Sequence, residues 1–352
     1  MTFDKDFGVA ANPGPGRRIP GAVLIAANRI GNIVYLNAQG FTSVDESLAK
    51  PIRADTTFWV ASCTKLVTTV AALQCVEKGL LSLDDEHQLS TILPEYASPS
   101  VLAGFDSLLT HSSGMGYDFM SPALMRWRSW DKENSQPRGE GVTAQCFQPL
   151  LFEPGEGWEC GVSLDWVGVM IERINGGLRL GEYMKQNIWD PLGMDSTTMH
   201  LGSRPDIQQR LCGASVRSAS GELEPTPPHP LKDSKDDRGG GGMCISPNDY
   251  IKILVALLKN DGALLKPETV RSMFEPQLRD RRYLNSFLDH PLGGPMCRAG
   301  VESDAWNFGL GGILNLENVD GVCKKGTMSW SGLPNLYWWI DPQSGLCGMY
   351  AS

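Results

Sequence analysis

The sequence predicts an α/β fold in which an antiparallel sheet is flanked by helices and a mostly helical region is inserted into it. Strand-like runs lie at both ends of the chain, at 21–41 and 327–350. Helical patterns separated by Pro, Gly and Ser fill the stretch between, and no segment repeats. A sheet built from both termini places residues 1–85 and 235–352 in one discontinuous sheet domain. Residues 86–234 then form a helical region, with an active site between the two.

The first strands read as a hairpin. Ala22-Val23-Leu24-Ile25-Ala26 and Ile33-Val34-Tyr35-Leu36 are β-rich runs, and Asn28 to Asn32, with Gly31, is the turn. Phe58-Trp59-Val60-Ala61 then leads into a helix, with Leu66, Val67, Val70, Ala71 and Leu73 at helical spacing and Gly79 as its stop. Leu164 to Ile174 is helical, with Trp166, Val167, Met170 and Ile171 on one side. Glu222 to Asp237 carries four prolines and reads as a polar loop. Gly239-Gly240-Gly241-Gly242 follows, where the backbone can approach another group closely or take positive φ. Pro247 to Leu258 is a helix. Thr327 to Trp330, Leu336 to Ile340 and Leu346 to Tyr350 are strands, the last two joined by the turn Asp341-Pro342-Gln343-Ser344-Gly345.

Composition narrows the function. A chain of 352 residues, 41% hydrophobic, has material for a large core. Its formal charge of −9 argues against a nucleic-acid or anionic-membrane partner, since both need a basic face. The densest basic run, Arg279-Asp280-Arg281-Arg282, contains an acid and reads as surface. Met1 to Pro20 has no apolar segment of signal-peptide type, and no run approaches membrane-spanning length. The nine cysteines are scattered, with no Cys-x-x-Cys and no histidine at metal-ligand spacing. Free thiols in a reducing cytoplasm, and no metal or cofactor, are the expectation.

Ser62-Cys63-Thr64-Lys65 falls where the strand-like run meets the helix start. Residues three apart share a helix face, so Lys65 lies beside Ser62. The helix N-terminus favours negative charge on the serine oxygen, and a desolvated lysine can serve as its base. Alone, Ser-x-x-Lys fits an N-cap serine and a solvent lysine equally well. Three further phrases accompany it: Leu108-Leu109-Thr110-His111-Ser112-Ser113-Gly114, Phe152-Glu153-Pro154-Gly155-Glu156-Gly157-Trp158 and Phe308-Gly309-Leu310-Gly311-Gly312.

In order and spacing these phrases resemble the serine-β-lactamase-like superfamily from about Gly21 to the last residue. They are most similar to class C β-lactamases, serine esterases and fungal acyltransferases of the lovastatin acyltransferase type. The resemblance implies that Ser62 is acylated, with Lys65 as its partner. It places Trp330-Ser331-Gly332 at the motif that is Lys-Thr-Gly in lactamases and Trp-x-Gly in esterases and acyltransferases. Tryptophan there removes the cation that would hold a β-lactam carboxylate, which favours esters or thioesters. The implied oxyanion hole uses the N–H groups of Ser62 and of the residue after Gly332, Leu333. Trp330, Ser331, Gly332, Leu333 and Tyr117 are therefore substrate-side candidates. Trp127 and Trp130 suit an apolar pocket wall or plain core packing, and the resemblance implies a small hydrophobic substrate, with an acyl thioester as one donor, in fungal secondary metabolism.

The family's second motif has a tyrosine after Pro-Gly-x-x-Trp, and here Trp158-Glu159-Cys160 puts Cys160 in its place. A thiol is more acidic than a phenol, with ordinary pKa values of about 8.5 and about 10, but its sulfur sits closer to its own backbone. Three readings follow: a Ser62–Lys65 dyad, a cyclase or isomerase that uses the enlarged site with Lys65 as acid/base, or a binding protein without catalysis; Cys160 stays a catalytic candidate by its position. Tyr117 offers a phenol from another direction. Members of the family usually carry a helix before the first strand and another after the last, both on one sheet face, and the ends here read as lacking them. The N-terminal segment is short and carries Pro13, Gly14, Pro15 and Gly16, and the chain stops at Ser352 inside a strand-like run. A shortened chain is one account. An apolar sheet face left open at Trp338 or Trp339, available to a partner, is the other expectation.

Overall fold

A computed structural model describes residues 2–96, 105–135, 140–226, 236–289 and 305–352. The expected sheet of both termini is present. The strands in chain order are β1 (Gly21–Asn28), β2 (Ile33–Gly40), β3 (Phe58–Trp59), β4 (Thr197–Thr198), β5 (Ala214–Arg217), β6 (Leu223–Thr226), β7 (Cys244–Ile245), β8 (Trp306–Phe308), β9 (Ile313–Asn315), β10 (Met328–Gly332), β11 (Leu336–Asp341) and β12 (Leu346–Ala351). Seven of them form one sheet in the order β2-β1-β12-β11-β10-β9-β8. Every neighbouring pair in it is antiparallel.

Local chemistry sets the turns. Asn28 Oδ1 accepts from the N–H groups of Ile30 (3.2 Å) and Asn32 (3.0 Å), which closes the β1–β2 hairpin over Gly31 at φ +88°. The carboxylate of Asp341 accepts from Ser344 N (2.9 Å) and Ser344 Oγ (2.8 Å), which closes the β11–β12 turn. Short strands escaped the sequence reading. The phrase around Phe308 to Gly312 is a hairpin between the three-residue strands β8 and β9, too short to show alternation. Leu223 to Thr226, expected as loop, pairs with β5 in a two-stranded ribbon, where Pro225 can sit at an edge. The rest of that expected loop, 227–235, lies outside the described residues.

One sheet face packs on the helix Pro247–Lys259, which lies against β1, β11 and β12. Ser246 caps that helix, accepting from Asp249 N at 3.2 Å, and Asn260 ends it in the left-handed region. Behind it, the helices Thr64–Glu77 and Ser163–Ile174 pack together. Both are buried all round over most of their length, so the one-sided pattern expected for 164–174 reports only the largest side chains.

The opposite sheet face corrects two expectations about the ends. A helix, Thr2–Ala11, does precede the first strand, and it lies on β2: Asp4 accepts from Tyr35 and, at 2.9 Å, from Asn37. Trp338 is not an open patch, because the strand alternation turns it inward, where it is fully buried. Trp339 is half-buried. It lies across Gly348, where a Cβ would come within 2.2 Å of its ring. Among the described residues, no helix is long and apolar enough to cross a membrane.

Candidate active site

Ser62 sits in a one-turn 3-10 helix, Ala61–Cys63, that feeds the helix Thr64–Glu77. Ala61 just before it has φ +43°, a strained setting for a side-chain-bearing residue. β10 crosses this turn closely: a Cβ on Gly332 would stand 2.3 Å from Val60 O and 3.2 Å from Cys63 Sγ. Only glycine permits that approach. It brings the backbone after Gly332 up against the turn that carries Ser62.

Lys65, one helical turn on and 2% exposed, points back to the serine. Its Nζ lies 2.9 Å from Ser62 Oγ, 2.8 Å from Tyr117 Oη and 2.7 Å from Gly240 O. Ser62 also acts on the Tyr117 phenol, so the amine and the two hydroxyls it bonds stand together as a triangle. Burial, reinforced by the nearby Asp165, holds the Tyr117 phenol well above its ordinary pKa. Tyr117 is therefore a protonated phenol at neutral pH and can both accept and donate.

Two sequence phrases position Tyr117 by bonding to each other. His111 O accepts from Glu159 N (2.9 Å), Ser112 O from Gly155 N (2.8 Å) and Gly114 O from Leu151 N (2.8 Å). Gly114, at φ +85°, has Phe152 O where its Cβ would be, at 2.3 Å. His111 itself takes φ +61° and is buried. Its ring stacks on Trp330 at 6.1 Å, and its Nδ1 meets Ser163 Oγ at 3.1 Å. Burial, with the charge of Lys65 second, keeps the imidazole neutral by holding its pKa well below the usual value.

Cys160, expected in the family's tyrosine position, is not brought into this triangle. It is 2% exposed and makes no hydrogen bond to Ser62 or Lys65. Burial raises its thiol pKa, with Lys65 opposing, so it is no thiolate at neutral pH. The physical reason is reach: the phenol on the 114–121 loop spans the gap that a cysteine side chain cannot. Trp330, expected on the substrate side, is 2% exposed in an aromatic cluster with His111, Trp158 and Phe308. It borders a small enclosed void beside Lys65 and does not stand in an open pocket. Ser331 and Gly332 are buried with it, whereas Leu333 is 67% exposed. Trp127 and Trp130 line an open groove of about 320 Å³ with Tyr96, Phe147 and Leu150, and neither Ser62 nor Lys65 borders it. Sequence reasoning missed Asp165 and the Gly240 carbonyl; the run of four glycines was their only signal.

Glu159 lies between Trp158 and Cys160, with its Cγ 3.2 Å from where a Gly116 Cβ would be. Burial alone pushes its carboxyl from 4.5 up to about 7. The folded state then holds a proton that the unfolded chain has lost, so stability falls as pH rises from about 4.5 to about 7 and stays reduced above. The ceiling is about 3 kcal/mol, and solvent screening of this partly exposed group lowers it. The fall in melting temperature between pH 5.5 and pH 8 is expected to be smaller in Glu159→Gln than in the parent. Equal pH dependence in both proteins would refute this.

Comparison with known proteins identifies the family. The family model described as Beta-lactamase matches residues 9–352. A lovastatin esterase of Penicillium rubens is 38% identical over 99% of this chain and 92% of its own. A monacolin J acid methylbutanoyltransferase of Aspergillus terreus is 37% identical over 94% of this chain and 86% of its own. The unliganded simvastatin synthase (LovD) of Aspergillus terreus superposes with a TM-score of 0.87 at 34% identity, covering 99% of this chain and 91% of that one. The serine-β-lactamase-like fold expected from the motifs is the fold observed, and the chain belongs to the β-lactamase family, alongside relatives that are esterases and acyltransferases.

Proposed function

We propose that the protein is an acyltransferase or esterase that works through an acyl-enzyme on Ser62. The observation that carries this is the single amine of Lys65 within hydrogen-bond distance of both Ser62 Oγ and Tyr117 Oη. Lys65, as the free amine, takes the proton of Ser62 as the oxygen attacks the acyl carbonyl. The N–H groups of Ser62 and Leu333 are the proposed oxyanion donors, supported by the close crossing of β10 over the serine turn. Tyr117 donates its proton to the leaving oxygen or sulfur and is reprotonated from Lys65. In the second half the same two groups take the proton of the incoming alcohol or water and deliver it to Ser62 Oγ, as the bond from Ser62 to the acyl carbon breaks and the acyl group leaves on the incoming oxygen.

The substrate class proposed is a small hydrophobic ester or acyl thioester of fungal secondary metabolism. Support comes from the relatives named above and from exposed Phe119, stacked on Tyr117 at 5.0 Å, and exposed Leu333, which give the serine an apolar approach. A cytoplasmic setting is proposed because the eight described cysteines are free thiols, seven of them buried. The test is partition: turnover of an activated ester with and without a hydrophobic alcohol. New ester formed at the expense of free acid supports transfer, acid alone supports an esterase, and no turnover of either kind counts against the proposal.

A further inference from the structure

Lys65 has three partners, and only one of them has a fixed role. As an ammonium it donates three hydrogen bonds, to Ser62 Oγ, Tyr117 Oη and Gly240 O. As a free amine it keeps two N–H groups and gains a lone pair. A hydroxyl can accept or donate, but the carbonyl of Gly240 can only accept. One N–H therefore stays on Gly240 O, and the lone pair is left facing the two hydroxyls. Without that anchor the amine rotates freely about its last bond, and the lone pair is aimed at the serine only part of the time.

Gly240 is itself pinned from behind. Its N–H donates to Oδ1 of Asp165 at 3.0 Å, and Asp165 sits in the first turn of the helix Ser163–Ile174, 3% exposed. A Cβ on Gly240 would stand 2.4 Å from Asp165 Oδ2, so the contact demands glycine. The flanking carbonyls bind the same wall: Gly239 O accepts from Thr68 Oγ1 (2.7 Å) and Gly241 O from Trp59 Nε1 (2.6 Å). Burial raises the carboxyl pKa of Asp165, and the charges of Lys65 and Arg238 oppose that rise. Asp165 touches none of Ser62, Lys65 or Tyr117 through a hydrogen bond, and it acts on them through the backbone of one residue, Gly240, whose N–H it accepts from and whose carbonyl Lys65 donates to.

We propose that Asp165 is a positioning residue for the Ser62–Lys65 pair, holding the backbone of Gly240 at its N–H so that the carbonyl of the same residue fixes the rotation of the Lys65 amine. The proposal rests on the Ser62 acyl-enzyme reading for its kinetic consequence but not for its geometry. Asparagine at 165 keeps an oxygen that can accept from Gly240 N, and alanine keeps none. Asp165→Ala is expected to slow acylation of Ser62 by about a hundredfold, the scale of a misplaced catalytic group, with KM within about threefold. Asp165→Asn is expected to recover most of that loss. Where alanine does not fold, Asp165→Ser, too short to reach Gly240 N, takes its place. A crystal structure of the alanine or serine variant is expected to show Lys65 Nζ released from Gly240 O.

Acylation of Asp165→Ala at the parent rate overturns the proposal, as does equal loss in the alanine and asparagine variants, which would point to charge and not to the hydrogen bond. A Lys65–Gly240 contact unchanged in the variant crystal structure overturns it whatever the kinetics. A parent protein that forms no acyl adduct defeats the Ser62 reading instead, and the crystallographic result then decides the role of Asp165 alone.

Discussion

Ser62→Ala is expected to lower ester turnover by at least about a thousandfold, to the level of binding and oxyanion stabilisation alone. The change removes only one oxygen. Lys65 keeps two of its three partners, Tyr117 Oη and Gly240 O, so the rest of the site has little reason to move. Folding should be unaffected, and a melting temperature within a few degrees of the parent checks that the loss is chemical. A cyclase or isomerase relying on Lys65 alone would keep much of its activity in this variant, and a protein that only binds would lose nothing. Steady-state hydrolysis of an activated ester, normalised to folded protein, distinguishes these outcomes.

Tyr117→Phe is expected to cost about a hundredfold to ten-thousandfold in kcat, the range for a positioned acid–base group. Phenylalanine keeps the ring, its stacking on Phe119 and the shape of the loop, and deletes only the oxygen that bonds Lys65. The paired variant is Cys160→Ala. Its thiol is buried, protonated and without a hydrogen bond to the serine or lysine, so kcat should stay within a few-fold of the parent. The reverse pattern, with Cys160→Ala inactive and Tyr117→Phe active, would return the third catalytic position to the cysteine. Because burial raises the phenol pKa, the Tyr117 proton remains available for relay above the pH at which an ordinary tyrosine ionises.

Much of this was legible in the sequence. Ser62 and Lys65 could be paired because a spacing of three residues fixes a shared helix face wherever the helix ends up. The sheet of both termini followed from long alternating strands such as β11 and from turns whose residues encode their own hydrogen bonds, as at Asn28 and Asp341. What was not legible depended on contacts between distant segments. Cys160 occupies the family's tyrosine position in the sequence. Yet which group reaches Lys65 depends on how the loop at 114–121 is hung from 151–159, a matter of backbone bonds that leave no mark on residue type beyond His111 and Gly114. Trp330 reads as a substrate-side residue from its Trp-x-Gly motif, whereas its neighbours His111, Trp158 and Phe308 come from three separate stretches of chain. The four glycines at 239–242 announced a close approach without saying to what. The carboxylate of Asp165 is the answer for Gly240. Two-residue and three-residue strands such as β3 and β8 carry too few side chains to show any period.

The central claim is a covalent intermediate on Ser62, and the most direct measurement is the mass of the intact protein after seconds of exposure to an activated ester or acyl thioester, with the modified peptide then located. The expected result is a single acyl addition on the peptide containing Ser62, absent from Ser62→Ala and slow to form in Tyr117→Phe. No adduct on the parent at any pH tried, with substrate still consumed, would contradict the acyl-enzyme and leave non-covalent chemistry around Lys65.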